Sequence, residues 1–191
     1  RGVLFMLAGI GLGGIVAAGL GYLVGLPSLR LRGDYLAIVT LGFGEIIRIF
    51  LNNLSEPFNL TNGPKGIATI DPIRFMGLDF SSATRIGDFA LSGTIKYYFF
   101  LLAVLLVVIV VNLRLQDSRI GRAWEAIRED EVAARAMGIN TRNMKLLAFA
   151  MGASFGGVSG AMFASFQGFV SPESFILMES IVVVAVVVLG H

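Results

Sequence analysis

From Val3 to Leu26 the chain runs for 24 residues without a charged side chain. Roughly 20 apolar residues in an α-helix are enough to cross a hydrocarbon core of about 30 Å. Tyr97 to Leu113 is a second such run, and Leu146 to Val170 is a third, 25 residues without a charge. A fourth extends from Ile176 to Gly190, with Glu179 near its start. Tyr35 to Phe50 is apolar but carries Glu45 and Arg48, which leaves open whether it spans, breaks midway or re-enters. Lipid offers backbone N–H and C=O groups no partners, so spans must satisfy them internally as helices or closed barrels. Runs of this length specify helices. The expected fold is an all-α, polytopic transmembrane bundle forming one domain over residues 1–191.

Composition agrees: 15% of the residues are charged, where soluble domains carry about 25%. The basic residues form no patch that could track phosphates, which argues against a nucleic-acid partner. With no cysteine and one histidine, His191, a disulfide framework, a zinc-finger site and a Cys nucleophile are excluded. Arg1 stands where an initiator Met would, no basic stretch precedes the first run, and the sequence stops at His191 just after an apolar run. These features suggest a fragment of a longer chain, with no signal peptide in view.

Residues 114–145 carry seven basic side chains (Arg114, Arg119, Arg122, Arg128, Arg135, Arg142, Lys145). The longer segment 51–96 carries four, balanced by four acids. The positive-inside rule places 114–145 in the cytoplasm and 51–96 outside. If 35–50 spans, Arg30 and Arg32 also fall inside. Two sequons, at Asn53 and Asn59, lie in the outer segment and decide nothing.

Glycine is abundant, 24 of 191 residues. In the third run small residues recur every fourth position: Ala148, Gly152, Gly156, Gly160, Ala164 and Gly168. Lipid supplies no hydrophobic drive between helices, so close backbone approach over small residues holds them together. Gly152, Gly156 and Gly160 are the expected packing stripe. Gly9 with Gly13 and Gly21 with Gly25 repeat the pattern in the first run.

Between Asp117 and Lys145, Ile120, Ala123, Trp124 and Ile127 share one helical face. Ser118 suits an N-cap. A second short helix is expected from near Asp130 through Ala133, Ala134 and Met137, with Gly138 at C′. Two such amphipathic helices either rest on the bilayer or dock in a groove of another protein, and composition does not separate the two.

The string from Gly121 to Asn140, GRAWEAIREDEVAARAMGIN, resembles the cytoplasmic coupling loop of branched-chain amino-acid ABC permeases of the LivM type. Leu29–Ile46, Thr61–Ile67 and Ser171–Phe175 resemble segments of the same family, in the same order. The match extends over nearly the whole chain. It departs from the general importer loop, in which Glu-Ala-Ala is followed three residues later by Gly; here Val132 holds the Glu slot and Glu131 stands one position earlier. The resemblance implies a non-catalytic membrane subunit in the inner or plasma membrane, importing branched-chain or other hydrophobic amino acids. Related permeases carry urea or short amides, and no residue chooses among these. The implied partners are a second, similar permease, two ATP-binding subunits and an extracytoplasmic substrate-binding protein. The implied coupling residues are Gly121, Arg122, Trp124, Ile127, Arg128, Glu129, Asp130, Glu131, Ala133, Ala134, Met137 and Gly138. No phosphate-binding Gly-x-x-x-x-Gly-Lys-Ser/Thr loop is present. ATP and Mg therefore belong to partner subunits, and no cofactor is expected on this chain.

Glu45, Arg48 and Glu179 are candidates for the translocation path, because charges at membrane depth usually face a bundle interior or cavity. An i, i+3 pair of Glu45 with Arg48 and an interfacial Glu179 are the competing structural readings. Thr61 to Gly66 reads as a turn set by Asn-Gly-Pro. One alternative is a secondary transporter with glycine-broken helices, which has no use for a basic docking loop. Another is a rhomboid-like intramembrane serine protease using Ser154 or Ser159 with His191.

Overall fold

The structure, a computed structural model, describes residues 2–29, 31, 34–54, 62–68, 70, 74–75, 78–79, 84–86 and 89–189. Among the described residues seven α-helices are seen: α1 Gly2–Ser28, α2 Asp34–Asn52, α3 Gly93–Gln116, α4 Arg119–Glu129, α5 Glu131–Ala136, α6 Thr141–Gln167 and α7 Leu177–Leu189. Ala8–Ser28, Tyr35–Asn52, Gly93–Gln116 and Thr141–Gln167 are long and apolar enough to cross a membrane. The segment carrying Glu45 and Arg48 is thus one continuous helix, unbroken and long enough to cross. The run from Ile176 appears as α7, 13 residues over its described length.

The third span ends earlier than its apolar run. Gly168 has φ +68, which stops α6, and Phe169–Val170 (β6) pair antiparallel with Ile67–Ala68 (β1). The segment 51–96 adds strands to the helical fold. Arg74–Phe75 (β2) pairs with Leu78–Asp79 (β3), and Thr84–Ile86 (β4) with Phe89–Leu91 (β5). Such short ladders give no periodicity to read in sequence.

The single expected domain comprises two compact units, residues 1–26 with 72–166, and residues 27–71 with 167–191. In the first, α1 and α6 run antiparallel in close contact. A Cβ on Gly13 would lie 3.4 Å from the Gly157 carbonyl oxygen, and one on Gly25 would lie 3.1 Å from Leu146 Cδ2. At Gly21 an added Cβ would strike Ala153 Cβ and come within 2.8 Å of the Phe149 carbonyl oxygen. At Gly157 it would strike the Gly13 carbonyl oxygen and reach Ala17 Cβ at 2.5 Å. Gly13, Ala17, Gly21 and Gly25 of α1 therefore face Ala161, Gly157, Ala153 and Leu146 of α6.

This seam runs on a different face of α6 from the expected stripe. Among the described residues, a Cβ added at Gly152, Gly156, Gly160 or Gly9 would meet nothing within 4 Å. The helix turns about 100° per residue, so Ala153, Gly157 and Ala161 form a second four-residue repeat rotated by that angle. That second repeat faces α1. The start of α3 is pinned to the end of α6, where the buried Tyr97 donates its hydroxyl to the Ser165 carbonyl at 3.1 Å and meets the Phe166 ring edge-on at 5.2 Å. Both α1 and α3 thus lie antiparallel to α6, and the end of α1 lies on the side where the 117–140 loop enters α6.

In the second unit α2 packs on α7 and on two 3₁₀ turns, Gly63–Lys65 and Pro172–Ser174. The expected Asn-Gly-Pro turn forms, with Asn62 at φ 59, Gly63 at φ 57 and Gly66 at φ 69. A side chain at Gly66 would also strike the Val170 carbonyl oxygen, so both conformation and space demand glycine. Thr61 lies outside the described residues. Three segments far apart in sequence (29–46, 61–67 and 171–175) thereby meet in one unit.

Candidate functional site

The loop between α3 and α6 is built from capped short helices. The Ser118 hydroxyl oxygen accepts from Gly121 N–H at 3.2 Å, capping α4. A Cβ at Gly121 would strike the Leu115 and Gln116 carbonyl oxygens, so glycine permits the sharp α3–α4 elbow. The Asp130 carboxylate accepts from Val132 N–H at 2.7 Å and Ala133 N–H at 3.0 Å, capping α5. Those N–H groups, Ala133 first and then Val132, hold its carboxyl below the usual range. At the other end Ile139 N–H bonds the Ala134 carbonyl and Gly138 N–H bonds that of Arg135, each at 3.1 Å. With Gly138 at φ +86 this is a Schellman closure. The sequence-level reading of caps, helices and C′ glycine is reproduced position by position.

The faces divide differently from the pattern of the sequence. Trp124 is half-buried, and its indole Nε1–H donates to the Met144 carbonyl at 2.8 Å. Ile127 is also half-buried, and Ala134 is buried at 4% exposure. Glu131 accepts from Lys145 Nζ at 2.7 Å and from Arg135 Nη2 at 3.1 Å. These groups turn toward their own chain. Met137 and Val132 point away, 83% and 70% exposed. Arg122, Arg128, Glu129, Ala133 and Gly138 are also exposed. Neither Val132 as an apolar contact nor Lys145 as a strut stood out in sequence, since a lone apolar residue among charges and a lysine at a span end carry no signal until packed.

The second feature is a cleft of about 300 Å³ between α2 and α7, lined by Thr40, Leu41, Gly44, Glu45, Phe175, Leu177 and Ser180. Glu45 borders it, gripped by Arg48, whose Nε donates to Glu45 Oε2 at 3.0 Å and whose Nη2 donates to Oε1. The two residues lie in adjacent turns of α2 and are paired, 30% exposed each. Glu179 sits in the first turn of α7 and is exposed. There a carboxylate favours the positive end of the helix dipole, and the residue does not line the cleft. Of the three path candidates, the structure sets Glu45 at the cleft, Arg48 on Glu45, and Glu179 apart. Thr40, Phe175 and Ser180 went unnoticed in sequence, although all but Ser180 fall within the segments that carry the resemblance.

The serines of the protease reading lie on the unbroken α6. Ser154 donates its hydroxyl to the Met151 carbonyl at 2.7 Å, a bond within its own helix. Gly152 and Gly156 flank it in helical backbone, with no strained turn to present a nucleophile. His191 lies outside the described residues.

A family described as "Branched-chain amino acid transport system / permease component" matches residues 2–191. The chain belongs to this permease family. It is 50% identical to the high-affinity branched-chain amino acid transport system permease protein LivM of Salmonella typhimurium, over 94% of the chain and 44% of that protein. It is equally identical to the protein of the same name in Escherichia coli, over 93% of the chain and 44% of that protein. A probable branched-chain amino acid transport permease protein LivM of Methanocaldococcus jannaschii is 30% identical over 78% of the chain and 40% of its own length. The chain thus spans less than half the length of these permease relatives. No solved structure matches.

Proposed function

We propose that the chain is a permease subunit of an ATP-driven importer for branched-chain or other hydrophobic amino acids. Its 117–140 loop seats in a groove of an ATP-binding partner on the cytoplasmic side. The single observation that carries this reading is the loop itself. It is a capped, ordered pair of helices that turns its charged struts inward and leaves Val132 and Met137 bare. An amphipathic helix resting on lipid would lay its apolar face together on one side; here Trp124 and Ile127 are committed to the chain's own helices. The exposed apolar side chains of Val132 and Met137 suit a protein groove, where a few central apolar contacts carry most of the binding energy.

The seven basic residues of 114–145 favour the cytoplasmic side for this loop. The stripe of Gly152, Gly156 and Gly160, where an added Cβ would meet none of the described residues within 4 Å, leaves room for a helix of a second, similar permease. The α2–α7 cleft, with Glu45 at its wall, is the candidate path for a small solute, delivered from outside by a binding protein. A secondary transporter is the weaker reading, because ion coupling gives the ordered basic loop nothing to do.

The test is co-purification with the ATP-binding subunit. Met137→Asp, alone and with Val132→Asp, places charge in the groove contact, and each central apolar contact of this kind is worth about 2 kcal/mol. Co-purification should fall at least tenfold while membrane insertion is unchanged. Retention of the partner by the double variant at the wild-type level would refute the docking assignment.

A further inference from the structure

We infer that the α2–α7 cleft selects its solute by charge. Thr40 and Glu45 on its α2 wall take an α-ammonium group, and the first turn of α7 takes the carboxylate. Free apolar amino acids are then held, whereas neutral amides and acids without an amine are not. This rests on reading the cleft as the solute path, and goes beyond it by naming the groups that choose the solute.

The α2 wall offers acceptors. Thr40 has one hydroxyl hydrogen, and it is directed at carbonyls of its own helix, Leu36 at 2.9 Å and Ala37 at 3.0 Å. Toward a solute that oxygen has lone pairs left and no hydrogen. Glu45 borders the same wall as a carboxylate, an acceptor at both oxygens. Its Oε1 accepts from Arg48 Nε at 3.1 Å and from Arg48 Nη2, whereas Oε2 accepts from Nε alone, at 3.0 Å. Oε2 therefore keeps a lone pair for a further donor. A carboxylate at span depth needs a partner, and Arg48, which stands outside the cleft lining, is that partner.

The α7 wall offers the reverse. Leu177 and Ser180 border the cleft from the first turn of α7. The first N–H groups of a helix lack partners within it and carry the positive end of its dipole, and the Ser180 hydroxyl adds a donor. Glu179 lies in the same turn but outside the cleft lining. Leu41, Phe175 and Leu177 supply apolar surface. The cleft of about 300 Å³ is at the small end of ligand pockets, the size for one small solute. Acceptors on one wall, donors on the other and apolar side chains beside them match the three parts of an apolar amino acid. A neutral amide brings no positive charge to Glu45 and no anion to α7. An acid without an amine leaves the α2 acceptors unpaired, and a site built around such bonds rejects an analogue that cannot make them.

The test needs a thiol in the cleft, and the chain has no native cysteine. Gly44 lines the cleft, and a Cβ added there meets none of the described residues within 4 Å, so Gly44→Cys places a thiol in the open space. Its alkylation by a small maleimide is followed by mass spectrometry in the assembled transporter in detergent, without binding protein. Leucine should slow the alkylation. Isocaproate lacks the amine, isoamylamine lacks the carboxylate and isocaproamide lacks both charges. Each should need a roughly ten- to hundredfold higher concentration for the same protection. Protection by isocaproate equal to that by leucine would overturn selection by charge and leave the cleft as the path. Protection by none of the four would remove the cleft as a solute site, and the inference with it.

A second measurement assigns the ammonium end. Glu45→Gln with Arg48→Gln removes both charges and leaves neither unpaired in the span. In that background leucine should protect no better than isocaproamide. A preference for leucine that survives the exchange would also overturn the assignment to Glu45. The analogue series keeps the native pair, so it decides the matter even where the double variant does not accumulate.

Discussion

α6 is joined to its neighbours by two seams of opposite chemistry. Along its length it meets α1 through Ala153, Gly157 and Ala161, where small side chains and backbone stand between the axes, with Leu146, Phe149 and Val158 against Gly25 and Gly14. At its first turns it meets the 117–140 loop through an indole N–H, an ion pair and a guanidinium. The difference follows the solvent. Lipid tails are as apolar as any side chain, so burying leucine gains little there, and affinity comes from fit between backbones. Beyond the bilayer edge water returns, short helices are marginal by themselves, and side-chain bonds to a fixed span hold them in place. The first seam tolerates no added atom at Gly21 or Gly157. The second depends on donors: the indole N–H and the Lys145 ammonium.

The largest expected effect breaks the first seam selectively. Gly157→Leu or Gly21→Leu drives a side chain into the opposing backbone, an overpacking cost of about 1–3 kcal/mol or more. Gly152→Leu, one face away, adds the same bulk where none of the described residues stands within 4 Å of an added Cβ. Thermal melts of purified protein in detergent should show the first two variants strongly destabilised and the third near wild type. Equal loss in all three would mean that the stripe face is also packed within the chain.

A smaller effect tests the second seam. Trp124→Phe removes one hydrogen bond, worth about 1 kcal/mol. The loop should then open to trypsin at Arg128 and Arg135 several times faster while the spans stay resistant. Unchanged cleavage would show that the indole bond does not hold the loop.

The smallest effect concerns pH. The Asp130 carboxyl is held below its ordinary value by the Ala133 and Val132 N–H groups. Its capping contribution is therefore complete above the unfolded pKa of about 3.9 and is lost as pH falls through the lower folded value. Amide exchange at Val132 and Ala133, corrected for intrinsic rates, should quicken only under acid conditions. Asp130→Asn, which caps without titrating, should remove that acid limb. Persistence of the limb in Asp130→Asn would place its origin elsewhere.

Some of this was settled by the order of residues. Long uncharged runs leave a helix as the way to satisfy the backbone in lipid, so α1, α3 and α6 were legible from the sequence, whereas α2, with Glu45 and Arg48 inside it, was left open. Ser118, Asp130 and Gly138 marked their own helix ends, because caps are local chemistry between residues two to five apart. The turn at Asn62–Gly66 was legible for the same reason. Other features depended on neighbours. Small residues recur every fourth position on two faces of α6, and nothing in the sequence says which face meets another helix; the approach of α1 chose Gly157 over Gly156. The apolar face of α4 was visible, but whether Trp124 turned to a partner or to Met144 depended on where α6 begins in space. The α2–α7 cleft draws residues 40–45 and 175–180 together across more than a hundred residues. Periodicity and capping act within a few residues along the chain, whereas seams and clefts are set by the choice of partner surface, which only the packed structure makes.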